Sequence, residues 1–414
     1  MEGQTKQISV RCCIAGGGPA GMMLGYLLAR AGINVLVLEK HGDFLRDFRG
    51  DTIHPSTLEV MHELGLYERL LQRPYQPTPK LKGRFGTLEA VFADFTHLPV
   101  RGKFVAFMPQ WDFLDFLAAE AKRFASFRLA MQAEVTGLIE ENGRVAGVTV
   151  RTPEGETRIR SELVVGCDGR HSTVRAQAGL QVLDIGAPMD VLWFRMSRQP
   201  SDPGESMGNF GKGAIFVMIN RGDYWQCGYV IAKDSLAQAR QRGLEAFRQD
   251  IEKMAPFMKG RTQEITSFDD LRLLTVGVDR LKHWHRPGLI CIGDAAHTMS
   301  PIGGVGINLA IQDAVAAGNL LAAPLRRGAV TDADLHSVQE RREPPTRKTQ
   351  AMQVFLQKNV ITAVLGSPEQ LKPPLFLKMI ARFPWLARFP ARILGMGFRP
   401  EHVDLAVIDG QQRS

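Results

Sequence analysis

Residues 8–39 constrain the fold more than any other stretch. Ile8–Ala15 is apolar and β-friendly, broken only by Arg11, and leads into Gly16-Gly17-Gly18-Pro19-Ala20-Gly21. Met22–Ala31 follows as a helix former without β-branched residues, closed by Gly32, and Ile33–Leu38 is a second buried strand ending at Glu39-Lys40. Strand, glycine turn, helix and strand make a βαβ unit with parallel strands. Each glycine of the Gly16-x-Gly18-x-x-Gly21 spacing has its own task. Gly16 makes the tight turn, Gly18 lets the backbone approach a pyrophosphate, and Gly21 lets the helix pack on the strand. The helix N-terminus offers free N–H groups and its positive dipole end to the phosphates. Glu39 lies roughly 20 residues downstream, where an acid takes ribose hydroxyls. A plain strand–helix turn would account for the glycines, but not for strand, helix and acid together. The reading is a dinucleotide site.

The remainder predicts how this unit is elaborated. Pro55–Leu71 and Asp112–Phe124 read as helices, and Glu134–Leu138, Val145–Thr152 and Thr157–Ile159 as hairpin strands turning at Asn142-Gly143 and Glu154-Gly155. Leu163–Cys167 and Gly288–Ile292 are further buried strands, and Gly306–Leu321 is a helix. Between about 185 and 276 the pattern alternates as antiparallel sheet does. The expected fold class is α/β: a doubly wound, Rossmann-like domain (1–75, 100–184 and 277–345) interleaved with a β-sheet substrate domain (76–99 and 185–276), then a helical C-terminal region (346–414). With 44% apolar and 23% charged residues, the chain is far from a disordered composition. The net charge of +8 suits nucleic acid, anionic membrane or anionic cofactors and does not choose among them. Five cysteines without a CxxC or a zinc-ligand spacing imply reduced thiols, no metal site and a cytoplasmic location. No run of about 18 uncharged apolar residues is present, so no membrane-spanning segment is expected.

Two later stretches carry chemistry. Cys167-Asp168-Gly169-Arg170-His171-Ser172-Thr173 follows a buried strand, and on its own a turn with Ser172 as helix N-cap explains it. Gly293-Asp294 through Ala310 is richer: a strand delivers Asp294, then Pro301-Ile302-Gly303-Gly304-Val305-Gly306 leads into a helix. Asp294 can accept hydrogen bonds from sugar or ribityl hydroxyls, the glycines clear space for a flat ligand, and the helix amides stabilise negative charge on it.

Taken together, in this order and at these separations, the three stretches resemble the single-component flavin monooxygenases of the p-hydroxybenzoate hydroxylase fold, over about residues 8–325. The resemblance implies FAD, held non-covalently. Gly16, Gly18, Pro19, Ala20 and Gly21 would wrap its pyrophosphate, with Glu39 on the adenosine ribose and Lys40 nearby. Arg49 would contact the phosphate and ribityl region, Gln110 the flavin, and the Val135 backbone the adenine. Asp168 would serve both FAD and NAD(P)H, and Asp294 the ribityl chain. Pro301 would lie at the reactive edge of the flavin, beside Gly304 and Gly306, with the Ile307 and Asn308 amides on the pyrimidine carbonyl. The implied activity is oxygenation of an aromatic or other electron-rich, apolar small molecule by O2 through a flavin C4a-hydroperoxide, with NAD(P)H a transient reductant lacking its own domain. No catalytic acid or base stands out; His54 and Pro301 are the pocket candidates. A prenyl-chain reductase of the same fold and a non-catalytic FAD protein are the rival readings. The Trp-x-Trp-x-Ile stretch of flavin halogenases is missing.

Trp193, Phe194, Phe210, Phe216 and Met218 suggest either an apolar cavity or plain sheet core. The stretch Leu375–Leu394 mixes large apolar residues with Lys378, Arg382, Arg388 and Arg392. Pro384 and Pro390 cut it into short helices, so docking onto its own protein is preferred over peripheral contact with an anionic membrane. Nucleic acid is not an expected partner, and a homodimer is left open.

Overall fold

A computed structural model of the chain describes residues 7–45, 52–211, 213–367 and 372–410. Strand β1 (Gln7–Ala15) enters the glycine turn, helix α1 (Pro19–Arg30) returns, and β2 (Val35–Leu38) pairs parallel to β1. Helix α2 (Pro55–Glu63) leads into an antiparallel pair, β3 (Lys80–Phe85) and β4 (Leu88–Asp94). The chain then returns through α3 (Gln110–Ala121) and β5 (Phe127–Ala130), and β6 (Glu134–Glu141), β7 (Arg144–Thr152) and β8 (Gly155–Gly166) form consecutive hairpins. Asn142 and Gly143, both at positive φ, make the tight turn expected between β6 and β7.

The second sheet is built from β9 (Met189–Ser197), β10 (Met207–Gly211), β11 (Ala214–Asn220), β12 (Tyr224–Ala232) and β13 (Arg272–Leu274), with α4 (Leu244–Met254) before the last strand. The chain closes with β14 (Leu289–Cys291), α5 (Gly306–Arg327), α6 (Asp332–Leu356), α7 (Leu375–Arg382) and α8 (Arg388–Met396).

In the first sheet β14, β8, β1, β2 and β5 run parallel in that order, and the β6–β7 hairpin extends the N-terminal half of β8. Both faces are buried, which is why these strands read as continuous apolar runs. Cys12 and Ile14 point into a core shared with α1, α3 and α5, while Cys13 and Ala15 point into one shared with the hairpin and Trp284. All five cysteines are free thiols. The α/β architecture agrees with the sequence reading, with one refinement: long helices cover one face, and the β6–β7 hairpin with the short helix Thr173–Gln177 covers the other.

The second sheet has seven strands in the order β13-β9-β12-β11-β10-β3-β4. Its back is filled by α4, whose Phe247 and Ile251 pack on Leu192, Phe194, Phe216, Met218 and Trp225. Its front carries Phe85, Val191, Ile215 and Val230, with Trp193, Phe210 and Val217 partly buried beside them. Ile361, Val364 and Leu377 from the C-terminal region and Ile302 from the Pro301–Gly304 loop join the same front cluster.

Several boundaries differ from the sequence expectation. The helix expected over Pro55–Leu71 stops at Glu63, because Gly65 adopts φ +72 and breaks it before the short turn Tyr67–Leu70. Gln76–Thr78 pairs with Val105–Phe107, so the segment joining the second sheet starts at Lys80 rather than at 76. Helix α6 runs straight through the expected boundary at 346, with Pro344 and Pro345 inside it. Among the described residues one helix, Ile302–Arg327, is long and apolar enough to cross a membrane where none was expected; 83% of its apolar window is buried inside the fold, as in a core helix.

Candidate active site

Every parallel strand of the first sheet delivers its carboxyl end to one edge, where open α/β sheets bind ligands. Beyond β1 lies the glycine turn, beyond β2 Glu39, beyond β8 Asp168, and beyond β14 Asp294. The glycines divide by what surrounds them. Gly16 sits at φ +106, and an added Cβ would lie 2.3 Å from the Cys167 carbonyl oxygen. At Gly21 it would lie 2.0 Å from the Gly16 carbonyl oxygen. Those two positions are glycine because strand, turn and helix touch. An added Cβ at Gly18 or at Gly306 meets nothing within 4 Å. These two residues stand at the N-termini of α1 and α5, neither of which has a side-chain cap. Two helix ends with unpaired first-turn amides therefore open onto free space. Such a pair suits a long ligand with an anionic middle and an electron-rich flat head.

The acids are placed around these openings. The carboxylate of Glu39 accepts the Gly17 amide at 3.1 Å and the His41 amide at 3.1 Å, which sets it against the glycine turn. Lys40 beside it is exposed. Gly293 reaches α1, since its added Cβ would lie 3.0 Å from Ala20 Cβ, so half-buried Asp294 follows directly from the first turn of that helix. Asp168 is more committed. Its carboxylate accepts the Ser172 hydroxyl and the Val174 amide at 3.0 Å, and burial pushes its pKa up. Ser172 in turn accepts the Arg175 amide, so the capped turn read from the sequence is present. Gln110 opens α3, and Val135 lies buried in β6 within the cluster that includes Ala15 and Leu38. Arg49 lies outside the described residues.

The Pro301–Gly304 loop is held from three sides. The Thr52 hydroxyl donates to the Gly304 carbonyl at 2.8 Å, Leu394 packs over Gly303, and Gln353 donates to the Ser300 and Ile302 carbonyls at 2.9 and 3.0 Å. Asn308 does more than present a backbone amide. Its side-chain oxygen accepts the His54 amide at 3.0 Å and the Thr57 hydroxyl at 2.7 Å, joining α5 to the start of α2. Ile307 is buried next to it. The His54 ring is wholly buried, with Nδ1 donating to the Leu394 carbonyl at 2.7 Å and Nε2 without a partner. Burial lowers its pKa to about 4, so it is a neutral packing group between α8 and the loop rather than an exposed base.

Sequence reasoning missed the group beneath this loop. Asp313, inside α5, accepts the Gly293 amide at 3.0 Å, pairs with His297 Nε2 at 2.6 Å, and accepts Arg342 Nε at 2.9 Å. Arg342 reaches on to Glu401 at 3.2 Å. The available signal was an acid in an otherwise apolar helix, between Gln312 and Ala314-Val315. Among the described residues no group of His, Cys, Asp or Glu could hold a metal ion.

A doubly anchored dinucleotide edge, a glycine-rich second loop and a β-rich insert facing that loop define a flavoprotein of the aromatic-hydroxylase architecture. The chain belongs to the FAD-binding domain family, whose pattern spans residues 9–352. It is 31% identical over 376 residues to 6-methylpretetramide 4-monooxygenase of Streptomyces rimosus, covering 90% of this chain and 89% of that protein. It is 29% identical over 323 residues to rifampicin monooxygenase of Streptomyces venezuelae, covering 75% of this chain but only 63%, under two thirds, of that protein. The structure of p-nitrophenol 4-monooxygenase from Pseudomonas putida superposes with a TM-score of 0.76 over 98% of this chain and all of that one, at 18% identity, a likeness of fold alone. The chain is an FAD-dependent monooxygenase, a class in which NAD(P)H is the usual reductant.

Proposed function

We propose that this enzyme hydroxylates a flat, electron-rich aromatic molecule, of the fused-ring phenolic kind, bound between the front of the seven-stranded sheet and the Pro301–Gly304 loop. The observation carrying this reading is the front cluster itself. Trp193 lies against Gly228, its ring carbons 3.1 Å from where a Cβ would stand, and Phe85, Phe210, Val217 and loop residue Ile302 line the same side. A flat aromatic wall facing the loop suits a flat aromatic guest. By alternation along β12, Gln226 faces the same side as Gly228; it is oriented by Arg221, which donates to its side-chain oxygen at 3.1 Å. That pair would fix a substrate oxygen at the edge of the wall. The name of the relative acting on 6-methylpretetramide, at 31% identity, supports the substrate class.

FAD would lie along the sheet edge, with its pyrophosphate at Gly16, Gly18, Pro19, Ala20 and Gly21. Glu39 and Lys40 would hold the adenosine end, with Val135 at the adenine. Arg49, Gln110 and Asp294 would serve the ribityl and phosphate region, Asp168 the approach of NAD(P)H, and Pro301, Gly304, Gly306, Ile307 and Asn308 the flavin. When bound, FAD supplies the redox chemistry with NAD(P)H and O2. The protein's own part is to orient the ring, exclude water and stabilise charge at the α5 N-terminus. The parallel-sheet segments would form the FAD domain and the seven-stranded sheet the substrate domain, and free, mostly buried thiols support a cytoplasmic setting. The test is substrate-stimulated NAD(P)H oxidation with 18O2, using fused-ring phenols. A product heavier by one labelled oxygen atom is expected. NAD(P)H consumption without an oxygenated product would sink the reading in favour of a reductase.

A further inference from the structure

The region after α6 shows two opposite surfaces. One is anchored: Leu377 joins the front cluster, Ala391 packs with Ala93 and Phe95, and Gly395 sits so close to Leu98, Phe95 and Pro55 that an added Cβ would overlap them. This inner side is the self-docking expected from the sequence. The outer side carries Leu375, Phe376, Met379, Phe383, Trp385 and Phe389, all exposed, with Leu375 73% and Phe389 62% accessible. Six of the fourteen exposed large apolar side chains among the described residues fall within residues 375–389, and such a gathering marks an interaction surface.

Charge decides the partner. From 372 to 400 the chain has six cations, Lys372, Lys378, Arg382, Arg388, Arg392 and Arg399, and no acid. Lys378, Arg382, Arg388 and Arg392 are exposed among the aromatics, and the Arg382 guanidinium lies 5.4 Å from the Phe383 ring. A second copy docked symmetrically on this face would bring cation against cation. An anionic lipid surface has the complementary charge and accepts aromatic rings at headgroup depth. We propose that the outer side of α7, the turn Pro384–Ala387 and α8 lies on anionic membrane, with Phe383, Trp385 and Phe389 inserted at the interface and the cations at the headgroups. Pro384 and Pro390 keep each helix short. Because the inner side already fixes their backbone, little ordering remains at contact, which compensates for the small area of each. The binding is peripheral, and it stands whatever substrate the enzyme takes.

The FAD-loaded enzyme, at physiological salt, is floated with vesicles of phosphatidylglycerol and phosphatidylcholine, and separately with phosphatidylcholine alone. Binding to the anionic vesicles at least about tenfold stronger than to the neutral ones, and weakened by added salt, is expected. The double substitutions Trp385→Ser with Phe389→Ser, and Arg382→Gln with Arg388→Gln, should each cut it about tenfold. Both should leave FAD content and unstimulated NAD(P)H oxidation unchanged, since all four side chains are exposed. Three results would overturn the proposal: no flotation of the parent enzyme, equal binding to neutral vesicles, or binding indifferent to both variants. Sedimentation showing a dimer that Trp385→Ser with Phe389→Ser splits, with no vesicle binding, would assign the face to a second copy instead.

Discussion

The carboxylate of Asp313 accepts Nε of Arg342 at 2.9 Å, with both side chains inaccessible to water. The pair links α5 to α6 directly beneath the loop that carries Asp294. Removing one member of a buried ion pair leaves the other charged and unsolvated, typically at a cost of 3–5 kcal/mol. Arg342→Met should lower stability by about 3–5 kcal/mol, read as a lower denaturant midpoint. A loss no larger than that of an average surface substitution would show that the pair is not structurally important.

The same acid sets a pH dependence. Burial pushes the Asp313 carboxyl upward, but His297 and then Arg342 outweigh it and hold the carboxyl below its ordinary value of 3.8. A carboxyl lowered in the fold contributes stability that is present above its unfolded pKa and is lost as pH falls through the folded value. The stability difference between the parent and Asp313→Asn should stay flat from neutrality down to about pH 5 and shrink below about pH 4.

His54 titrates in the opposite chemical sense and also loses stability on acidification. Its ordinary pKa of 6.5 falls to about 4 by burial, so the unfolded chain takes up a proton that the folded one refuses. The parent's advantage over His54→Asn should decline as pH drops from about 6.5 to about 4, by about 3 kcal/mol in all. The pH profile of kcat/KM should carry no limb from this residue.

Two neighbouring glycines should fail in different ways. Gly18→Val projects into free space, so the variant should fold and melt near the parent apoprotein yet bind no FAD. Gly16→Ala forces a side chain into the Cys167 carbonyl at a positive φ and should destabilise the fold itself. Thermal melts of the two apoproteins, read beside flavin absorbance, separate the cases. Asp294→Ala should fold and lose about 1.5–3 kcal/mol of FAD affinity, measured by flavin fluorescence titration.

On the second sheet, Phe216→Ala should cost about 3–5 kcal/mol of stability, because the ring is fully buried against Phe194 and Tyr229. Trp193→Ala, on the other face, should raise KM for aromatic substrate while leaving FAD affinity and most of the stability intact. If the two variants trade these phenotypes, the front of the sheet has been misassigned.

Part of this arrangement is legible in the sequence. The glycine turn could be read from local spacing, because Gly16 and Gly21 answer to contacts within one βαβ unit and at the adjoining strand end. Alternation separates Trp193 from Phe194 by face, but which face meets α4 and which meets the Pro301 loop is set by packing between distant segments. Hence only Trp193 and Phe210 of the five aromatic and methionine candidates face the loop side, and Phe194, Phe216 and Met218 are core. The Asp313–Arg342–Glu401 chain joins residues 29 and 59 positions apart, beyond any local pattern. Gly65 itself signals the helix break, but the apolar spacing on either side of it favours one continuous helix.

Residues 399–409 are stitched back onto α1, the end of α2 and α6. Arg30 in α1 clasps Asp409 at 2.7 and 3.0 Å, 379 residues later, Glu63 accepts the Val403 amide at 2.8 Å, and Glu401 completes the Arg342 pair. During synthesis, the βαβ unit is made well before residues 399–409, so it acquires these braces only once those later residues have emerged. The outer strand β14 takes its place beside β8 earlier, once residue 291 has been made. The cofactor edge, which takes Asp168 and Asp294 as well as the glycine turn, is thus assembled from segments made at widely separated times, and its βαβ unit is braced only after all of them have been made.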